Sequence, residues 1–327
     1  MLKKFPKKRL SFLPSPVEEL KRLSAKMNGP RILMKRDDLT GLAFGGNKTR
    51  KLEYLVGDAL AKGCDTLITG GAEQSNHCRQ TAAAAAMSGL KCVLALGGEE
   101  PKEITGNLLL DKLFKAEIHW TGEYRKGEKI PGIIEELKSR GLNPYHIPYG
   151  GSNEIGALGF VNAVWELRTQ LSEIQQDIDT IIFASSSGGT HAGLIVGNYM
   201  LDNPYNLIGI AIDKEEIEQA SFEENILKLA NETSVLLNIS SNDLPEGVNL
   251  KKEFLGEGYG VINEMDKEAL QLLAEHEGIL LDPVYTGRAM AGLIGMIRNG
   301  ELAKDQNVLF WHTGGTPSLF AYGHQLL

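Results

Sequence analysis

Short apolar runs alternate with longer amphipathic stretches along this chain. Residues 65–69 (DTLIT) read as a buried strand bounded by Gly70 and Gly71, and residues 80–87, after a polar loop, as an alanine-rich helix. Residues 91–96 (KCVLAL) give the next strand, residues 106–115 a helix and residues 116–120 a strand. Strand–helix–strand units at this spacing imply a parallel sheet with right-handed crossovers.

A second series follows. Residues 155–175 are largely helical, with apolar positions at Leu158, Val161, Val164 and Leu167. Residues 180–184 (TIIFA) form the continuous apolar strand found in parallel sheets. A Gly/Ser loop at 185–190 leads into a helix at 191–201, then a strand at 207–212. A polar helix is expected at 215–237, and another at 267–276, capped by Gly278. A late strand at 307–311 ends in a Thr-Gly-Gly turn. The expected architecture is α/β: two open parallel-sheet domains with helices on both faces and a cleft between them. The small domain is placed at 50–160, and the large one at 1–49 plus 161–327.

Composition narrows the class. The chain has 327 residues, enough for about two domains, with ordinary hydrophobic (42%) and charged (23%) fractions. A net charge of −8 argues against a general nucleic-acid binder. Three cysteines, Cys64, Cys78 and Cys92, fit neither a zinc pair nor a disulfide framework. No apolar run approaches the ~20 residues of a membrane helix. The basic start at residues 1–8 lacks a following apolar segment, so a cytoplasmic protein without a leader is expected.

Five motifs carry candidate chemistry. Lys35-Arg36-Asp37-Asp38 precedes Gly45-Gly46-Asn47-Lys48-Thr49-Arg50-Lys51. A lysine after such a turn projects into a cleft, and its deprotonated amine forms a Schiff base. Arg50 and Lys51 are candidate neighbouring charges; the alternative is a solvated basic helix start. Ser75-Asn76-His77 sits where helix N–H groups bind an anion such as a substrate carboxylate, or is a plain N-cap. Ser187-Gly188-Gly189-Thr190 joins a buried strand to a helix and offers backbone and hydroxyl donors to a phosphate. Tyr285, in Asp282-Pro283-Val284-Tyr285-Thr286-Gly287, is a candidate acid, base or nucleophile, or a packed core phenol. Thr313 lies in His312-Thr313-Gly314-Gly315, at the C-terminal end of a strand, where open α/β sheets bind ligands.

In this order, KRDD, GGNK, QSNH, SGGT, DPVYTG and HTGG resemble the fold-type II (tryptophan synthase beta-like) pyridoxal-phosphate enzymes. Within them the likeness is to the group of D-cysteine desulfhydrase and aminocyclopropane-carboxylate deaminase. It covers about residues 5–322. The resemblance implies pyridoxal 5'-phosphate as cofactor, with Lys48 as the Schiff-base lysine. Asn76 would bond the cofactor's 3′-oxygen, and Ser187, Gly188, Gly189 and Thr190 its phosphate. Thr313 would face the pyridine nitrogen. Ser75 and His77 would lie by the substrate carboxylate. Tyr285 and Tyr259 match the group's two active-site tyrosines. A homodimer is also implied.

Ring-opening deaminases of the group carry Glu after the tyrosine of DPVY and Leu before the late Gly-Gly. Here Thr286 and Thr313 occupy those positions, the desulfhydrase-like pattern. A neutral pyridine suffices when thiolate leaves, whereas opening a cyclopropane demands a stronger electron sink. The expected reaction is β-elimination of D-cysteine to sulfide, pyruvate and ammonia. Lys48 or Lys51 would take the Cα proton, and Tyr285 would position substrate or protonate the sulfur. The rivals are aminocyclopropane-carboxylate deamination to 2-oxobutyrate, L-cysteate sulfo-lyase with Arg79 as a candidate sulfonate cation, and a non-catalytic cofactor-binding protein.

Overall fold

The computed structural model describes residues 2–213 and 221–326. Its strands are β1 (Val17–Glu19), β2 (Arg31–Arg36), β3 (Thr66–Ala72), β4 (Lys91–Gly97), β5 (Glu117–Trp120), β6 (Pro144–His146), β7 (Thr180–Ser185), β8 (Asn206–Ala211), β9 (Leu250–Lys251) and β10 (Asn307–His312). They build a six-stranded sheet, β1-β2-β10-β7-β8-β9, and a four-stranded sheet, β5-β4-β3-β6. Every pairing is parallel except β1 with β2.

The helices are α1 (Lys21–Met27), α2 (Asn47–Ala61), α3 (Asn76–Ser88), α4 (Gly106–Leu113), α5 (Ile130–Ser139), α6 (Glu154–Glu173), α7 (Gly189–Tyr199), α8 (Phe222–Leu236), α9 (Glu264–Glu277) and α10 (Thr286–Arg298). Strand side chains alternate between faces, so each large-sheet strand feeds two cores. Met34, Ile182, Val308 and Phe310 pack on one face with Met290 and Leu293 of α10. Leu33, Ile181, Phe183 and Leu309 pack on the other with Phe160 and Val164 of α6. In the small sheet, Leu67 and Leu94 meet α2 and α3, while Ile68 and Val93 meet α5. Both sheets therefore carry helices on both faces.

Three local expectations change. Strand β3 runs through Gly70 and Gly71 instead of ending at them. A Cβ on Gly70 would lie 2.9 Å from the Gly127 Cα, and one on Gly71 2.6 Å from Ser75 Oγ, so Gly70 lets a loop approach the strand and Gly71 makes room for the start of α3. Helix α3 begins at Asn76, because Ser75 accepts the Cys78 N–H and caps it four residues ahead of the expected start. Of the helix expected at 215–237, residues 215–220 lie outside the described residues, and Ser221 caps the remainder with Glu224 in a capping box.

The expected small-domain limits, residues 50 and 160, fall inside α2 and α6, two helices that pack on each other. Arg50 anchors α2 from beneath. It donates to Asp37 at 2.8 and 2.7 Å and to Glu166 at 3.0 and 2.9 Å. Trp311 and Ser15 also donate to Asp37, and Lys35 pairs with Glu166. The basic and acidic residues of the KRDD segment thus fix the base of the helix that carries Lys48. Among the described residues, no helix is long and apolar enough to cross a membrane.

Candidate active site

The GGNK and HTGG turns lie back to back. Asn47 N–H donates to the Thr313 carbonyl at 3.0 Å, and a Cβ on Gly314 would sit 2.6 Å from the Gly46 Cα. Gly46 has φ +125°, a conformation that favours glycine, and α2 starts immediately after it. Lys48 is therefore the second residue of a helix, with its amine directed into the cleft. Its Nζ donates to the Gly150 carbonyl at 3.0 Å. Lys51, one turn on, donates to the same oxygen at 3.1 Å and to Ser152 Oγ at 3.2 Å. Desolvation by burial lowers the Lys48 amine to about 8. Burial, and then the neighbouring Lys48 charge, hold Lys51 well below the usual lysine range. Arg50 does not supply the charge expected of it, because Asp37 and Glu166 neutralise it on the far side of the helix.

Opposite Lys48, β7 ends at Ser185 and Gly188, at φ +82°, turns the chain into α7. The first N–H groups of a helix have no carbonyl one turn back, and the helix dipole makes this end electropositive. Ser187 Oγ lies 2.8 Å from Ser152 Oγ, which also accepts the Gly189 N–H at 3.1 Å. Asn47 donates to Thr190 Oγ1 at 3.1 Å. A Cβ on Gly189 would fall 2.7 Å from Ser152 Oγ and 3.0 Å from Lys51 Nζ. Hydroxyls, a helix N-terminus and a lysine converge here as a cradle suited to a phosphate.

The third wall is the start of α3. Ser75 serves as the plain N-cap and also lines the cleft. Asn76 Oδ1 accepts from Arg79 at 3.2 Å and from Asn107 at 2.9 Å, which leaves its Nδ2 as the donor. His77 Nε2 pairs with Thr69 Oγ1 at 2.9 Å, while its Nδ1 is buried without a partner among the described residues. Burial, then the charges of Lys48 and Lys51, keep this imidazole neutral.

Tyr285 closes the cleft. The Asp282 carboxyl accepts the N–H groups of Val284, Tyr285 and Thr286 at 3.1, 2.9 and 2.7 Å and so fixes the turn. Tyr285 and Tyr259 hydroxyls are 2.6 Å apart, and burial pushes both phenols well above their usual range. Arg125, from the small-sheet side, stacks 4.6 Å from the Tyr259 ring and pairs with Asp213 at 3.0 Å.

Lys48, Ser75, Asn76, His77, Tyr285 and Thr313 line one cleft, with Ser187, Gly188 and Thr190 on its opposite wall. Lys51 and Gly189 stand behind that wall at Ser152, and Tyr259 stands behind Tyr285. Two further expectations fail. Thr286 is fully buried and does not line the cleft, because its hydroxyl donates to Asp282 at 2.7 Å. Arg79 is equally buried and off the cleft, so it does not provide a sulfonate cation there. Gly150 and Ser152 escaped the sequence reading. Their Gly-Gly-Ser turn before α6 resembles the other Gly/Ser turns and was the available signal.

A partly neutral amine, a hydroxyl-lined helix start suited to an anion and an amide donor in one cleft fit pyridoxal phosphate. The comparisons agree. A family model described as pyridoxal-phosphate dependent enzyme matches residues 9–314. The chain is 42% identical over 332 residues to a D-cysteine desulfhydrase of Serratia proteamaculans, covering 99% of this chain and 98% of that one. It is 43% identical over 329 residues to a D-cysteine desulfhydrase of Salmonella choleraesuis, covering 98% and 97%. The crystal structure of an ACC deaminase homologue, 40% identical, superposes with a TM-score of 0.91 over 99% of this chain and 96% of the other. A threonine deaminase of Solanum lycopersicum shares the fold at 16% identity, with a TM-score of 0.66 over 97% and 83%. The chain belongs to the pyridoxal-phosphate dependent enzymes.

Proposed function

We propose that this chain is a D-cysteine desulfhydrase, a lyase that converts D-cysteine to sulfide, pyruvate and ammonia. One observation carries the reading. A lysine amine lowered to about 8 shares its cleft with a protonated tyrosine, in a chain 42% and 43% identical to enzymes of that name.

Lys48 is the attachment point and Asn76 Nδ2 the donor to the 3′-oxygen. The α7 N-terminus, with Ser187, Gly188, Gly189 and Thr190, holds the phosphate. Lys51 and Ser152 support that cradle, and Thr313 faces the ring nitrogen. When bound, pyridoxal phosphate supplies the imine linkage and the electron sink. Ser75, Asn76 and His77 at the start of α3 bind the substrate carboxylate. The free Lys48 amine would take the Cα proton, with Lys51 the second candidate. Tyr285, backed by Tyr259, gives its hydroxyl proton to the departing sulfur. The Cα–H and Cβ–S bonds break, a Cα–Cβ double bond forms, and water completes hydrolysis to pyruvate and ammonia. Thr286 bears on specificity only indirectly, through Asp282 and the Tyr285 turn.

The two sheets support a two-domain enzyme, with α2 and α6 spanning the division. The free thiols of Cys64, Cys78 and Cys92 support the reducing cytoplasm, and the family likeness supports a homodimer.

The test is to incubate the purified holoenzyme with D-cysteine, L-cysteine, L-cysteate and aminocyclopropane carboxylate, assaying sulfide, sulfite and 2-oxo acid. Sulfide and pyruvate chiefly from D-cysteine are expected, as is loss of both turnover and covalent cofactor in Lys48→Ala. Dominant 2-oxobutyrate or sulfite would overturn the substrate, and normal turnover by Lys48→Ala would overturn the site.

A further inference from the structure

Arg79 is fully buried on α3; among the described residues it makes no salt bridge within 4 Å, and the carboxyls of Asp111 and Asp282 act on its charge from farther off. Its two Nη groups donate to oxygens of the site's own framework, while Nε has no hydrogen-bond partner among the described residues. Nη1 donates to Asn76 Oδ1 at 3.2 Å and to Asn107 Oδ1 at 2.9 Å, and Nη2 donates to the Gly45 carbonyl at 2.8 Å. Asn107 completes the arrangement. Its Nδ2 donates to the same Asn76 oxygen at 2.9 Å and to the Gln74 carbonyl at 2.8 Å.

A primary amide has two nearly isosteric ends, and only its hydrogen-bond partners decide which one faces a ligand. Here two donors claim the oxygen of Asn76, so its N–H group is the end left for the cleft. The opposite orientation would point an acceptor at the cofactor's ring oxygen, and it would also leave N–H groups facing Arg79 and Asn107. The same guanidinium grips Gly45, three residues before Lys48. It therefore ties the helix start that presents the lysine to the helix start that presents the amide.

We propose that Arg79, with Asn107, is a positioning residue that sets the Asn76 amide as a donor to the cofactor's ring oxygen and holds the Gly45–Lys48 turn in register with it. This rests on Asn76 being that donor. A donor to the ring oxygen stabilises its ionised form, so losing it raises the pH midpoint at which the bound cofactor changes its visible absorbance.

The experiment titrates that absorbance in holoenzyme carrying Asn76→Ala, Arg79→Met, Asn107→Ala or the Asn76→Ala/Arg79→Met pair, with cofactor dissociation measured alongside. Asn76→Ala is expected to raise the midpoint by about one pH unit. Arg79→Met is expected to move it in the same direction and to speed cofactor loss. The pair should shift the midpoint no further than Asn76→Ala alone, because both changes remove one interaction. Should Arg79→Met not fold, Asn107→Ala, which spares the Gly45 contact, is expected to give the same sign. If Asn76→Ala shifts the midpoint while the folded Arg79 and Asn107 variants do not, the proposal fails and Asn76 keeps its role. If Asn76→Ala itself leaves the midpoint unmoved, both fall.

Discussion

Lys48 and Lys51 point their amines at one acceptor, the Gly150 carbonyl, at 3.0 and 3.1 Å. Two ammonium groups cannot share a single buried oxygen without strong repulsion: burial and the Lys48 charge hold Lys51 well below the usual lysine range, and burial lowers Lys48 itself. The Lys48 amine, lowered to about 8, is charged and lacks a free lone pair below that pH, and is neutral and nucleophilic above it. Covalent attachment of pyridoxal phosphate to the apoprotein is therefore expected to accelerate as pH rises through about 8. Stopped-flow absorbance across neutral and alkaline buffers measures this. A rate that only begins to climb near the ordinary lysine range would contradict it.

The two tyrosines separate by distance from the reaction. Tyr285 lines the cleft, whereas Tyr259 stands behind it, its hydroxyl 2.6 Å from that of Tyr285 and its ring edge-on to it. Removing a general acid costs on the order of 10²–10⁴-fold, so Tyr285→Phe should lower kcat with D-cysteine by about that factor. Tyr259→Phe should cost on the order of tenfold. Chloride leaves without a proton, so β-chloro-D-alanine should largely spare Tyr285→Phe. Equal losses on both substrates would remove Tyr285 from proton donation.

Ser152 connects Ser187, the Gly189 N–H and Lys51 behind the proposed phosphate cradle. Ser152→Ala deletes that junction without adding bulk. Cofactor affinity should weaken by about tenfold, the scale of one hydrogen bond near a charged group. Equilibrium titration of apoprotein, followed by tryptophan fluorescence, reads this directly, and an unchanged Kd would place the phosphate elsewhere.

Asp37 is fully buried and accepts from Arg50, Trp311 and Ser15. Asp37→Ala strands part of the buried Arg50 guanidinium, and Glu166 is left as its acidic partner. Breaking such a pair typically costs about 3–5 kcal/mol. Urea denaturation of the variant should show that loss with an unchanged m-value. A loss under about 1 kcal/mol would mean that Glu166 alone suffices.

Much of the fold was legible because its strands are short, apolar and bounded by turns. The stretches at 91–96 and 180–184 carry enough hydrophobicity to bury both faces, and they became β4 and β7 within a residue. Strand β2 was not read, because Lys35 and Arg36 stand inside it. Those charges are tolerated only because Glu166, from α6, reaches Lys35, and Asp38 and Glu18 reach Arg36. Nor does periodicity reveal that Gly70 and Gly71 continue β3: a loop more than fifty residues away presses on Gly70, and the start of α3 packs against Gly71.

By itself the sequence determined the residue types of the site: a lysine after Gly-Gly-Asn, a capped helix start, a Ser-Gly-Gly-Thr turn and a tyrosine after Asp-Pro-Val. These are local features, set by backbone conformation and the chemistry of neighbouring side chains. Only the tertiary structure decided which of them face one another. It placed Gly150 and Ser152 between Lys48 and the cradle. It turned Thr286 inward to Asp282, and it buried Arg79 behind Asn76 instead of in the cleft. The physical reason is that each of these outcomes depends on a hydrogen-bond partner distant in sequence or on the direction of a side chain at a helix start. Spacing along the chain constrains neither until the sheets and helices are packed.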